Sequence, residues 1–108
     1  MYRLRRVYRT KPGQTLNVAK LVYKQSKILQ DAGHRGDLTV SYNGATLPGE
    51  TNIVILEWQD DQIMSPRRPG NNFPVEVMAI QREYPPLIES QHIEFYERID
   101  PSKISDNP

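Results

Sequence analysis

Four side chains of different chemistry fall on one face of a predicted strand: His92, Glu94, Tyr96 and Arg98, at a spacing of two, with Ile93 and Phe95 on the other face. An imidazole ionises near neutral pH, so His92 is the candidate for moving a proton. Glu94 lies about 7 Å further along the strand, so a direct bond between the two needs side-chain reach or a water. Tyr96, or Tyr8 on the first strand, could hydrogen-bond a substrate carbonyl, and Arg5 or Arg6 could hold a carboxylate or enolate. The same residues also read as a wet strand face, with Glu94 in a structural ion pair and the tyrosines packing by their rings.

Composition narrows the classes. The chain has 108 residues and a net charge of +1, with 37% hydrophobic and 25% charged residues, which implies one globular domain and no overall pull toward nucleic acid or membrane. It has no cysteine, which excludes disulfides and thiolate chemistry. His34 and His92 share no zinc-like spacing with each other or with an acid. No Gly-rich phosphate loop, nucleophile elbow or dinucleotide fingerprint occurs. "MYRLRRVYRT" lacks the apolar stretch of a secretory signal, and no apolar run approaches the roughly 20 residues of a membrane-spanning helix. The expectation is a cytoplasmic domain with no metal, no cofactor, no nucleic-acid partner and no membrane partner. An Arg- and Tyr-rich first strand could suggest RNA, but the third strand is mostly aliphatic where an RNA-binding sheet needs aromatic rings.

The elements that must position these residues follow from periodicity. Residues 2 to 10 read as a strand stopped by Pro12-Gly13. Leu16, Ala19, Val22, Tyr23, Ser26, Leu29 and Ala32 recur at helical spacing, with Thr15 as the expected N-cap and Gly33 as the stop. Residues 37 to 42 alternate, with Leu38, Val40 and Tyr42 opposed to Thr39 and Ser41. Residues 51 to 58 are apolar on both faces, as in a strand covered on both sides. A tight hairpin at Asn43-Gly44, returning through "ATL", is the alternative. Residues 60 to 73 read as a loop, in which Arg67 and Arg68 could close over an anion. Pro74 is the expected first residue of a second helix, stopped by Pro85-Pro86. The last strand is expected over 91 to 99, then a polar tail. Residues 1–100 form the expected domain and 101–108 the tail. Arg35-Gly36-Asp37 spells an integrin-binding tripeptide, which a helix-exit turn explains.

The order βαββαβ is that of the α+β ferredoxin-like plait, a four-stranded antiparallel sheet with two helices on one face. Resemblance to that fold puts strands one and three in the centre. Its other face would leave Val54, Leu56 and Trp58 in water, and a patch of that kind marks an interface. Pairing two copies face to face covers it, as a homodimer through the open sheet face, the dimeric α/β barrel.

"VYRTKPGQ", residues 7 to 14, resembles the end of the first strand in NIPSNAP-like proteins and their relatives among dimeric α/β barrels. There an Arg and a Tyr precede a Lys-Pro-Gly turn and a long helix, and Arg6, Tyr8, Lys11, Pro12 and Gly13 match. "IVILEWQDD", with Trp58 before acidic residues, resembles their third strand. The resemblance implies a dimeric barrel without implying one activity, since related barrels include cofactor-free monooxygenases, small lyases and isomerases, haem-handling proteins and proteins with no known ligand. Applied to this chain, the barrel cleft would hold His92, Arg6 and Tyr96 as catalytic groups, with Tyr8, Arg5, Glu94, Trp58 and Tyr42 as ligand-binding groups. The expected role is small-molecule binding in that cleft, or a dimeric interaction module. The alternative is a cofactor-independent monooxygenase, isomerase or lyase acting on a small aromatic or polyketide-like substrate, with His92 as base.

Overall fold

Backbone alternation in Tyr2–Thr10 sends Leu4, Tyr8 and Thr10 to one side and Arg3, Arg5 and Arg9 to the other, which makes strand β1. The computed structural model describes residues 1–33, 36–61 and 74–104. After β1 come α1 (Thr15–Asp31), β2 (Leu38–Asn43), β3 (Ile53–Asp60), α2 (Val75–Glu83) and β4 (Ile88–Glu97). The sheet is antiparallel in the order β2-β3-β1-β4, so β1 and β3 are central as expected of the plait.

Helix α1 turns a stripe inward that shares Ala19, Val22, Ser26 and Leu29 with the expected one but is rotated at its edges. Val18, Ala19, Val22, Gln25, Ser26 and Leu29 are buried at 3.6-residue spacing, whereas Leu16, Tyr23 and Ala32 are exposed. Two polar residues, Gln25 and Ser26, therefore sit mid-stripe. Thr15 is the first helical residue and Gln14 the N-cap; the Thr15 hydroxyl instead bonds that of Thr10 at 2.7 Å, tying the helix start to the end of β1. Gly33 ends the helix at φ 81°, a left-handed conformation that glycine adopts without a Cβ penalty.

The covered face of β3 is the reverse of the expected one. Val54, Leu56 and Trp58 lie beneath the helices, in a core with Leu4, Tyr8, Val18, Val22, Ile80 and Tyr84. Ile53 and Ile55 are on the open face. The register explains it: Val54 pairs with Tyr8 and Trp58 with Leu4, so these bulky side chains meet on one side. Of the residues expected under the helices from β4, Ile93 packs against the core, but Phe95, on the edge strand, and Ile99, beyond the strand's end, are exposed.

Boundaries move at the second helix and the last strand, while the expected loop before β3 holds. Pro74 is the N-cap of α2 with an extended ψ of 148°, rather than its first helical residue. Strand β4 starts at Ile88, directly after a short turn at Pro85–Leu87. The connection of β2 to β3 is a nine-residue loop, not a tight hairpin, with Asn43 Nδ2 donating to the carbonyls of Leu47 and Glu50 at 3.0 and 2.8 Å. Most of the 60–73 loop, including Arg67 and Arg68, lies outside the described residues, as do His34 and Arg35.

A Cβ on Gly36 would stand 2.9 Å from the carbonyl oxygen of Gln59, against backbone that cannot swing away. Gly36→Ala is therefore expected to destabilise the fold by about 1–2 kcal/mol, measured as a lower urea midpoint at constant slope.

Candidate functional site

Arg6 is the odd residue of β1. It lies at the centre of a central strand, level with Leu56 of β3 and Ile93 of β4, on the face the helices cover. A guanidinium there needs a polar environment or a counter-charge. It lines a pocket of about 250 Å³ between the sheet and the helices. The sheet side of the pocket carries Arg6, Tyr8, Leu56, Trp58 and Gln91; the helices contribute Gln25, Ser26, Leu29 and Gln81, with Tyr84 at the exit of α2.

The polar groups have defined partners. Arg6 Nη1 donates to Gln91 Oε1 at 3.2 Å. The ring of Tyr84 stands edge-on to that of Tyr8, with centroids 5.7 Å apart at 82°. Burial pushes the Tyr84 phenol above its ordinary pKa, while the Arg6 cation and hydrogen bonding with Tyr8 and Gln25 pull the other way. Tyr84 thus stays protonated at neutral pH. Ser26 Oγ and Gln25 Oε1 are buried and have no hydrogen-bond partner among the described residues. Arg6 has no carboxylate partner among those residues; its one hydrogen-bond partner is the neutral Gln91.

The opposite face is built as a charge ladder. Register sets Thr39, Glu57, Arg5 and Glu94 in one row across all four strands. Arg3 Nε donates to Glu57 Oε2 at 2.8 Å, Arg5 Nε lies 3.7 Å from Glu94 Oε1, and Arg9 Nη2 lies 3.0 Å from Glu50 Oε2. His92 Nε2 and Glu94 Oε2 are 3.2 Å apart, so side-chain reach alone closes the gap between them. That bond to His92, then hydrogen bonding with Tyr96 and the Arg5 cation, holds the Glu94 carboxyl below its usual range. Glu94 in turn raises the Tyr96 phenol. Arg98 Nη1 donates to Gln59 Oε1 at 3.1 Å. Beneath this layer Val7 is only 3% exposed, with Ile53 and Ile55 beside it on β3.

The expected site is thereby divided. Arg6, Tyr8 and Trp58 line the helix-side pocket, while His92, Tyr96, Arg5 and Glu94 stand on the other face of the sheet. No single ligand touches both sets across the sheet, so His92, Arg6 and Tyr96 do not form one catalytic group. The reason is the period of two: Arg6 is level with Ile93, whereas His92 is level with Val7. Tyr42 is half-exposed on edge strand β2, beside the loop to β3 and away from Arg6. Reading the sequence did not pick out Gln25, Gln81, Tyr84 or Gln91. A signal for Gln25 was present, since it follows Val18 and Val22 at helical spacing. Among the described residues, no group of three or more His, Cys, Asp or Glu could hold a metal ion, and no helix is long and apolar enough to cross a membrane.

An open four-stranded plait with both helices on one face defines an α+β protein of the ferredoxin-like class. Within that class the chain is NIPSNAP-like in fold. It superposes on a NIPSNAP family protein from Agrobacterium tumefaciens with a TM-score of 0.69 at 24% identity, covering 96% of this chain and 98% of that one. A NIPSNAP domain protein from Burkholderia xenovorans gives 0.66 at 18% identity, over 92% and 95%. A dimeric protein of unknown function with a ferredoxin-like fold, from Bacteroides fragilis, gives 0.56 at 18% identity, over 90% and 95%. No protein-family model and no curated protein matches the chain.

Proposed function

We propose that this chain binds a small organic anion in the pocket between sheet and helices, with Arg6 as the counter-charge. The observation that carries the reading is Arg6 itself: a guanidinium on the helix-covered face, lining a pocket of mixed polar and apolar walls, and matched among the described residues only by the neutral Gln91. A planar carboxylate fits the fork of a guanidinium and brings the missing charge. Tyr84, protonated at neutral pH, lines the same pocket. Binding is better supported than turnover. The described pocket residues include no His, Asp or Glu to take up a proton near neutral pH, and His92 lies across the sheet. A cofactor-independent monooxygenase, isomerase or lyase would need its proton acceptor from elsewhere.

The test uses the sequence's single tryptophan, Trp58, which lines the pocket and reports occupancy by its fluorescence. Titration with benzoate is expected to saturate, and Arg6→Gln to weaken binding by about 10- to 100-fold, the worth of a charge-assisted hydrogen bond. A saturable signal with equal affinity in wild type and Arg6→Gln removes Arg6 from the site; no saturable signal removes the reading.

A second reading concerns the open face. Its arginines and glutamates form a mixed-charge surface that can complement itself about a two-fold axis, and the Bacteroides fragilis neighbour is a dimer. We propose that a second copy of the chain packs there, leaving the Arg6 pocket on the outer side of each sheet.

A further inference from the structure

We infer, on the reading that Arg6 holds an organic anion, that the ligand is a monoanion carrying a separate hydrogen-bond donor: a small hydroxylated carboxylic acid. Charge sets the first half. Arg6 is the only charged side chain among the described residues lining the pocket. One carboxylate balances it, whereas a phosphate dianion would leave charge uncompensated in a partly desolvated site.

The helix wall sets the second half. Gln25 and Ser26 are 6% and 2% exposed and break the apolar stripe of α1, yet Gln25 Oε1 and Ser26 Oγ have no hydrogen-bond partner among the described residues. The amide oxygen of Gln25 is an acceptor only, and a buried acceptor left empty is costly. A carboxylate cannot fill it, because a carboxylate donates nothing. A ligand that presents a hydroxyl or N–H toward α1 fills it while its anionic end faces Arg6 on β1. Between those walls the lining is apolar, through Leu29, Leu56 and Trp58, so the body joining the two polar ends is apolar. The volume of about 250 Å³ admits a single small ring with its substituents.

The probes are benzoate, its 2-, 3- and 4-hydroxy derivatives and inorganic phosphate, titrated against the full chain with Trp58 fluorescence and calorimetry. At least one hydroxybenzoate is expected to bind about tenfold more tightly than benzoate, since it fills an acceptor that benzoate leaves empty. That ratio should fall to near one in Gln25→Met, with Ser26→Ala as the second variant if the first perturbs packing. Phosphate should not compete. If benzoate binds in an Arg6-dependent way and no hydroxy derivative binds more tightly, a water fills the helix wall; this inference then falls and the anion-binding reading stands. Phosphate competing at least as well as benzoate overturns the monoanion assignment. If none of the carboxylates binds, both readings fall together.

Discussion

Replacing Trp58 with alanine is expected to destabilise the fold by about 3–5 kcal/mol, a large share of the roughly 5–15 kcal/mol by which a domain of this size is stable. Trp58 is 7% exposed, pairs laterally with Leu4, and packs in the cluster that joins β1 and β3 to α1 and α2. Removing an indole deletes its transfer energy and leaves a void that rigid neighbours fill only in part. Because Trp58 also walls the Arg6 pocket, the void opens into that pocket and admits water, which places the cost toward the lower end of the range. The measurement is the urea midpoint at constant slope. Oligomeric state under native conditions should not change. A variant of normal stability that lost self-association would return Trp58 to the open face and reverse the face assignment.

That assignment marks where the sequence stops being informative. The order of elements was legible because breakers bracket each one: Pro12-Gly13 after β1, Gly33 after α1, Pro48-Gly49 before β3 and Pro85-Pro86 after α2. With βαββαβ in place, few topologies remain, and the central positions of β1 and β3 follow. Which face of β3 the helices cover was not legible. Ile53 and Ile55 are as apolar as Val54 and Leu56, so alternation carries no sign there. Only the register against Leu4 and Tyr8 on β1 breaks the tie.

The site inherited the same ambiguity. Grouping Arg6 with His92 and Tyr96 placed residues of opposite parity on neighbouring strands in one cleft, although Arg6 is level with Ile93 and therefore back-to-back with His92. The helix wall was hidden for a second reason. Counting Leu16 and Tyr23 as inward rotated the stripe of α1, and Gln25 then fell outside it. The observed stripe keeps Ala19, Val22, Ser26 and Leu29 of the expected one and adds Val18 and Gln25. Polar residues inside an apolar stripe carry a desolvation cost with no packing return, so they point to something polar on the facing wall. In this fold the facing wall holds Arg6.

Ile55→Asp should separate the two faces by experiment. Ile55 is partly exposed in the single chain and level with Val7, under the arginine and glutamate layer of the open face. In one copy alone the substitution costs little: water reaches the new carboxylate, Arg5 lines the same shallow hollow, and strand propensity accounts for about 1 kcal/mol at most. Between two copies the same carboxylate would be desolvated twice, once in each sheet, with every nearby arginine already engaged by Glu57, Glu94 or Glu50. Dimer dissociation is therefore expected to strengthen by about a hundredfold or more, read by sedimentation equilibrium over a range of concentrations. The anion affinity of the Arg6 pocket should stay within about twofold, because that pocket opens on the other side of the sheet and shares no residue with the open face. A wild-type chain that sediments as a monomer removes the dimer and leaves the pocket untouched. Loss of anion binding in Ile55→Asp would instead mean that the second copy completes the pocket, and the two faces could no longer be treated as independent.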